Sequence, residues 1–168
     1  MASPVIVTKS GPGLADLKKA LERIRNSDVL VGIPAAKASR KGKGKGSTIN
    51  NAELLFILSK GSSLKHIPPR PTLEPAVEAN KELLSKHLAA AAKAVMEEDP
   101  TRAERELKLA GTIASNAAKR RFSKEFLAPN APSTIKRKGR DVPLIDTGAL
   151  RAAIVSVVRE NGKETDAT

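Results

Sequence analysis

The chain has 168 residues, a formal net charge of +12, no Cys, Trp or Tyr, and three Phe. That length fits one domain; the missing Cys excludes disulfides and thiolate metal sites; and no apolar run approaches the ~20 residues that span a bilayer. Apolar residues make up 40% of the chain. Many are Ala, so the expected core is thin and gains from burying apolar faces against neighbouring subunits.

The opening M-A-S-P-V-I-V lacks the charged start and long apolar run of a secretion signal, which points to synthesis in the cytoplasm. Val5 to Thr8 reads as a short strand, and Gly11-Pro12-Gly13 breaks it. Leu14, Leu17, Leu21 and Ile24 recur at helical spacing with Ala20 on the same side. This predicts an amphipathic helix over about 13–26. Val29-Leu30-Val31-Gly32-Ile33, closed by Pro34, reads as a buried strand.

A flexible basic loop is expected over 35–48. Its segment S-R-K-G-K-G-K-G-S-T has the ingredients of a phosphate-binding loop but not the order. A nucleotide P-loop needs Gly-Lys before Ser or Thr, so that the Lys meets the terminal phosphates. Here Lys45 precedes Gly46, and counting from Gly42 puts Ser47-Thr48 where Gly-Lys belongs. Arg40, Lys41, Lys43 and Lys45 are therefore contact candidates for a polyanion or an acidic neighbour, with no nucleotide implied.

Asn50 to Ser59 predicts a short helix with Asn50 or Asn51 as its cap and Gly61 as its stop. His66-Ile67-Pro68-Pro69-Arg70-Pro71 cannot be helical, because three prolines force an extended path. Thr72 opens a long helix to about Glu97, with Pro75 in its first turn and Val77, Leu84, Leu88, Ala91 and Val95 in one stripe. After Asp99-Pro100, Thr101 is expected to cap a second long helix, with Glu104 completing a capping box. That helix should run to about Phe122 with Ala103, Leu107, Ala110, Ala114 and Ala117 on one face. Its basic end, Lys119-Arg120-Arg121, suits the negative helix terminus.

Residues 128–142 read as turn-rich and basic. Asp146 or Thr147 should cap a short helix around Gly148 to Ala153, and Ile154 to Arg159 reads as a strand. Residues 161–168 are polar and expected to fray. The sum is an α+β fold: a small antiparallel sheet packed against two long helices and short helices, one domain over 1–160.

The charge is concentrated. Residues 36–70 hold eight Lys or Arg against one Glu, and residues 119–140 hold the same numbers. Such segregation suggests an anionic or acidic surface near those segments. His66 and His87 are isolated and imply no metal. No nucleophile, base and orienting group occur in a catalytic pattern, and no cofactor is implied.

Two stretches carry a resemblance. One is V-L-V-G-I-P at 29–34, followed by I-P-P-R-P-T-L-E-P-A at 67–76; the other is A-P-S-T-I-K-R-K-G-R-D-V-P-L-I-D-T-G-A-L-R at 131–151. In motif and order they resemble tailed-phage neck proteins, the lambda-like tail-completion or head–tail joining family and its Mu-like virion morphogenesis relatives. The chain departs from that family at Thr72, where an aromatic is usual, and at Leu58-Ser59-Lys60-Gly61. The resemblance implies a virion protein, assembled in the host cytoplasm. It would form a homo-oligomeric ring, a hexamer or dodecamer, at the head–tail junction, with portal or connector and tail tube or terminator proteins as neighbours and DNA passing through.

The residues suggest their own roles. Pro68, Pro69 and Pro71 stiffen a segment that loses little entropy on ordering and aims Arg70 at an acidic neighbour. Asp146-Thr147-Gly148 makes a tight loop-to-helix corner. Lys136, Arg137, Lys138 and Arg140 are further contact candidates. A basic nucleic-acid-binding protein, ribosome- or DNA-associated, is the alternative. Against it, three Phe give no stacking platform, and no helix-turn-helix or zinc motif is present.

Overall fold

The structure, a computed structural model, describes residues 13–39, 49–123 and 125–167. The strand expected at Val5 to Thr8 and the basic residues Arg40, Lys41, Lys43 and Lys45 lie outside the described residues. The fold is α+β, as the periodicities predict.

Helix α1 (Leu14–Arg25) starts where Gly13 donates its N–H to Asp16 Oδ2 at 3.0 Å. Strand β1 (Ser27–Gly32) follows. The stretch expected as loop from residue 35 begins with one helical turn, α2 (Ala35–Ala38). Helix α3 (Asn51–Lys60) has a full capping box: Asn50 Oδ1 accepts from Glu53 N at 2.9 Å, and Glu53 Oε2 accepts from Asn50 N at 3.0 Å.

The long helix expected over 72–97 is two helices, α4 (Leu73–Ala79) and α5 (Lys81–Met96). Asn80 separates them at φ −115°, ψ 11°, with its side-chain amide donating to Ala76 O at 2.8 Å. A short amide side chain that competes for a helical carbonyl bends or breaks the helix there.

Helix α6 (Pro100–Arg120) is capped two residues earlier than expected. Asp99, not Thr101, accepts from the Arg102 N–H at 2.9 Å, and Pro100 takes the first helical position. Helix α7 (Pro132–Lys138) occupies the segment expected as turns, and Gly139 ends it at φ 68°. Then come α8 (Ala149–Ala152) and strands β2 (Val155–Glu160) and β3 (Lys163–Ala167).

Strand β3 corrects the expectation of a frayed end. Asn161 and Gly162 sit at φ 53° and 75° and join Glu160 to Lys163 across a two-residue loop. Asn-Gly is the pair that tolerates two successive positive φ values in a hairpin turn. The sheet order is β1-β2-β3, antiparallel throughout.

Helix α6 lies across one face of this sheet and against α4 and α5. Its inward residues are small: Ala103, Ala110, Gly111, Ala114, Ala117 and Ala118 are buried. A Cβ placed on Gly111 would stand 2.7 Å from Ser156 Cβ and Oγ and 3.1 Å from a methyl of Val29. Val29 and Val31 pair with Val158 and Ser156 and share that face. Asp28 and Leu30 point the other way and are exposed, so β1 is half-buried rather than buried. A second core group joins Leu55, Ala76, Phe122, Leu150 and Ile154 where α3, α4 and α6 meet the entry to β2.

Across the sheet, Arg159 holds Asp28 through both carboxylate oxygens at 2.9 and 2.7 Å. This forked hydrogen bond keeps the Asp28 carboxyl below the usual carboxylate range.

Two outcomes follow from this packing. Gly111→Ala raises helix propensity yet should lower stability by about 1–2 kcal/mol, because overpacking outweighs the propensity gain; urea unfolding measures the sign. Asp28 binds its proton more weakly when folded, so its contribution is present above its unfolded value near pH ~4 and is lost as pH falls through the folded value. Asp28→Asn should therefore flatten the acid side of a stability–pH curve, read by thermal melts from neutral pH downward.

Candidate assembly interface

The I-P-P-R-P stretch and the 128–147 stretch meet in space. Gly61, at φ 73°, ends α3 and turns the chain so sharply that a Cβ there would lie 2.7 Å from Ile67 O and 2.8 Å from Pro69 N. Ser62 and Ile67 exchange backbone hydrogen bonds at 2.8 and 2.9 Å, and Arg70 N donates to Leu58 O at 2.9 Å. The prolines thus lie folded back over the end of α3. Pro68 and Pro69 are exposed, and Pro71 is half-buried.

Arg70 does not reach outward to an acidic neighbour. Only 8% of its surface is exposed, its Nε donates to Ala128 O at 2.9 Å, and its Nη2 donates to Pro129 O at 2.6 Å. The rigid prolines aim it inward, where it pins the segment that leads to α7. Burial lowers its pKa, and the Asp141 carboxylate opposes that shift. A guanidinium stays charged regardless. Asp141 Oδ1 also accepts from Asn130 N and Nδ2 at 3.1 and 3.0 Å, which ties the two ends of the α7 segment together.

Lys138 is also turned inward. Its Nζ donates to Ile145 O at 2.7 Å and Val142 O at 3.3 Å. Burial pushes its pKa down, Asp146 acts the other way, and Arg140, Arg137 and Arg70 add to the depression. Arg140 Nη2 donates to Asp146 O at 2.8 Å while its side chain stays exposed. Lys136 and Arg137 are exposed on α7.

The Asp146-Thr147-Gly148 corner differs from the expected cap. Gly148, at φ 86°, is itself the residue before α8, and Thr147 Oγ1 accepts from Ala149 N at 3.3 Å. Asp146 contributes its backbone carbonyl, as the acceptor for Arg140. Arg151, one turn on, donates Nε to Lys119 O at 3.0 Å and so satisfies a carbonyl in the last turn of α6.

The sequence reading missed which large apolar residues stay outside. Phe56 is 65% exposed and Leu64 is 92% exposed. Phe56 lies with Ile49, Ala52, Glu53 and Ile57 in an open apolar depression on α3. Leu14 and Leu21 are exposed on α1, which buries no residue fully. Leu83 and Leu88 on α5 and Leu109 on α6 are exposed as well. The signal was present in L-L-F-I-L at 54–58: a short helix apolar on every side cannot bury all of them in one core.

Among the described residues, no three His, Asp or Glu side chains gather as a metal site, and no helix is long and apolar enough to cross a membrane. No family model, curated protein or solved structure matches the chain.

Replacing Arg70 by Met keeps the packed stem and removes the forked donor. Stability should fall by about 2–4 kcal/mol, because the carbonyls of Ala128 and Pro129 lose a charged partner. Urea midpoints of Arg70→Met and Arg70→Lys measure it. Recovery of full stability by Lys would show that charge alone, without the fork, suffices.

Proposed function

We propose that this chain is a structural virion protein of a tailed-phage neck. In this reading it forms a homo-oligomeric ring at the head–tail junction, joins the tail to the portal or connector, and lets DNA pass. The observation that carries the reading is an inversion of side-chain size. Where α6 crosses the sheet its own buried face is built of Ala, Gly and Ser, whereas Leu14, Leu21, Phe56, Leu64, Leu83 and Leu88 face outward. Large apolar side chains held outward, most of them on helices, suit surfaces that a neighbouring subunit would cover.

The junction of the two motifs supports the same reading. Arg70, from the first stretch that resembles the neck family, holds the carbonyls of Ala128 and Pro129 just ahead of the second, so the two signatures sit side by side. That contact holds α7 in place with Lys136 and Arg137 exposed. In a ring these cations make weak, sequence-free contacts to an acidic neighbour or to passing phosphates.

The exposed cations of α7 equally suit the second reading, a nucleic-acid-binding protein. The two differ in what drives assembly. A ring sealed by apolar faces holds or tightens as salt rises, whereas binding to phosphates weakens steeply.

The purified protein should therefore show a closed-ring mass, at physiological and at molar salt alike, without nucleic acid. A monomer that binds duplex DNA or RNA tightly, and releases it as salt rises, would move the assignment to the second reading. Light scattering or native mass spectrometry decides between them.

A further inference from the structure

The sheet has two edges, and they are not alike. The β3 edge begins with Lys163 and Glu164, both exposed, and charged residues on an edge discourage further pairing. The β1 edge carries S-D-V-L-V-G. Its one charged residue, Asp28, is held by Arg159 of β2. Nothing in Val29-Leu30-Val31 guards that edge.

The register shows which groups are left open. Asn161 N donates to Asn26 O at 2.9 Å, and Asn26 and Asn161 continue the pairing of Ser27 with Glu160. Hydrogen-bonded pairs alternate in an antiparallel ladder. Asp28, Leu30 and Gly32 therefore exchange bonds with β2, and the backbone groups of Ser27, Val29 and Val31 point away from it. Among the described residues, no strand pairs with that side.

We propose that β1 is an acceptor edge, and that residues 4–8 (P-V-I-V-T) of a second copy of this chain add to it as a fourth strand. The segment suits the task. Val5, Ile6 and Val7 are β-branched, and Pro4 stands at the first position, where a strand tolerates it.

Chain geometry argues for a second copy over the same copy. Antiparallel addition within one chain leaves residue 8 beside Ser27, at the end of α1. The connector must then run back along the whole helix, about 18 Å, which residues 9–13 reach only when pulled almost straight, at about 3.4 Å per residue. Parallel addition within one chain makes α1 a crossover helix, and a crossover helix packs on its sheet. Helix α1 packs along α5 and meets the sheet at its last turn, where Arg23 pairs with Glu160 of β2 at 2.9 Å. Between copies neither limit applies, and Gly11-Pro12-Gly13 lets the segment leave its own subunit. The proposal rests on the ring reading and specifies one of the ring's contacts.

The chain contains no Cys, so introduced thiols report only on each other. Leu30 is 45% exposed and bonds to β2, so towards an added strand it is a non-hydrogen-bonded position. Facing residues there lie about 4.5 Å apart at Cα, within disulfide reach. A tagged chain carrying Leu30→Cys is mixed, under mild oxidation, with an untagged chain carrying Val5→Cys, Ile6→Cys or Val7→Cys.

The expected result is a mixed disulfide that is strong at one of the three positions, the one facing Leu30, and weak at its immediate neighbours. Equal yields at all three positions, disulfides formed only between two Leu30→Cys chains, or, in a chain given both Leu30→Cys and the best-yielding partner, a disulfide formed only within that chain would each overturn the proposal. The mass of the unmodified protein is measured alongside. A ring that forms without any mixed disulfide removes the strand exchange and leaves the ring. A persistent monomer removes both.

Discussion

Helix α6 lies close on the sheet because the residues it buries fully are Gly, Ala and Ser. Gly111 sets the tightest point, with Ser156 directly beneath it. Ala110, Ala114, Ala117 and Ala118 extend the same close approach along the helix. Close approach gives dense dispersion contacts but removes little apolar area per residue from water. The same chain holds Leu14, Leu21, Phe56, Leu64, Leu83 and Leu88 on its surface. Core chemistry and proposed assembly are thus two sides of one choice of residue size.

Where apolar packing is thin, cations hold the chain. Arg70 and Lys138 both turn inward and spend their N–H groups on backbone carbonyls of the 128–145 stretch. That stretch has little regular structure beyond α7, so its carbonyls need donors from elsewhere. Partial burial makes Lys138 easier to deprotonate than a free lysine, and the nearby Arg140, Arg137 and Arg70 add to that effect. Asp141 favours the charged form of Arg70 and Asp146 that of Lys138. The fixed stretch then presents Lys136 and Arg137 from a rigid base, so the internal cations position the external ones.

Much of the fold was legible in the sequence. The Leu14-Leu17-Leu21-Ile24 spacing, the Asn50 cap, the Pro75 constraint and the alanine face of α6 each act within one helix, where spacing decides the outcome. The misses have local physical causes. Asn80 breaks a helix through a side-chain hydrogen bond that no apolar stripe reveals. Asp99 won the cap over Thr101 because Pro100 already fits the first helical turn. Asn161-Gly162 is a hairpin signal that polar surroundings disguised as a tail. The direction of Arg70 was not legible, because its acceptors, Ala128 and Pro129, are backbone carbonyls far along the chain and leave no trace in residue type. The exposed apolar faces were half legible: α3 is too apolar for one core, but which residues are left out depends on where α6 lies.

The sheet also constrains how the chain comes together in time. Strand β1 occupies residues 27–32, and its partner β2 occupies 155–160. Helices α5 and α6 are neighbours in sequence and close on each other through a short turn at Glu97 to Asp99. Local closure is fast, and closure across a long intervening chain is slow. On a chain that emerges from the ribosome in order, the helical pair forms while β1 still lacks a partner on either side. The sheet is therefore the last part to close, and until it does the V-L-V stretch is exposed on both edges.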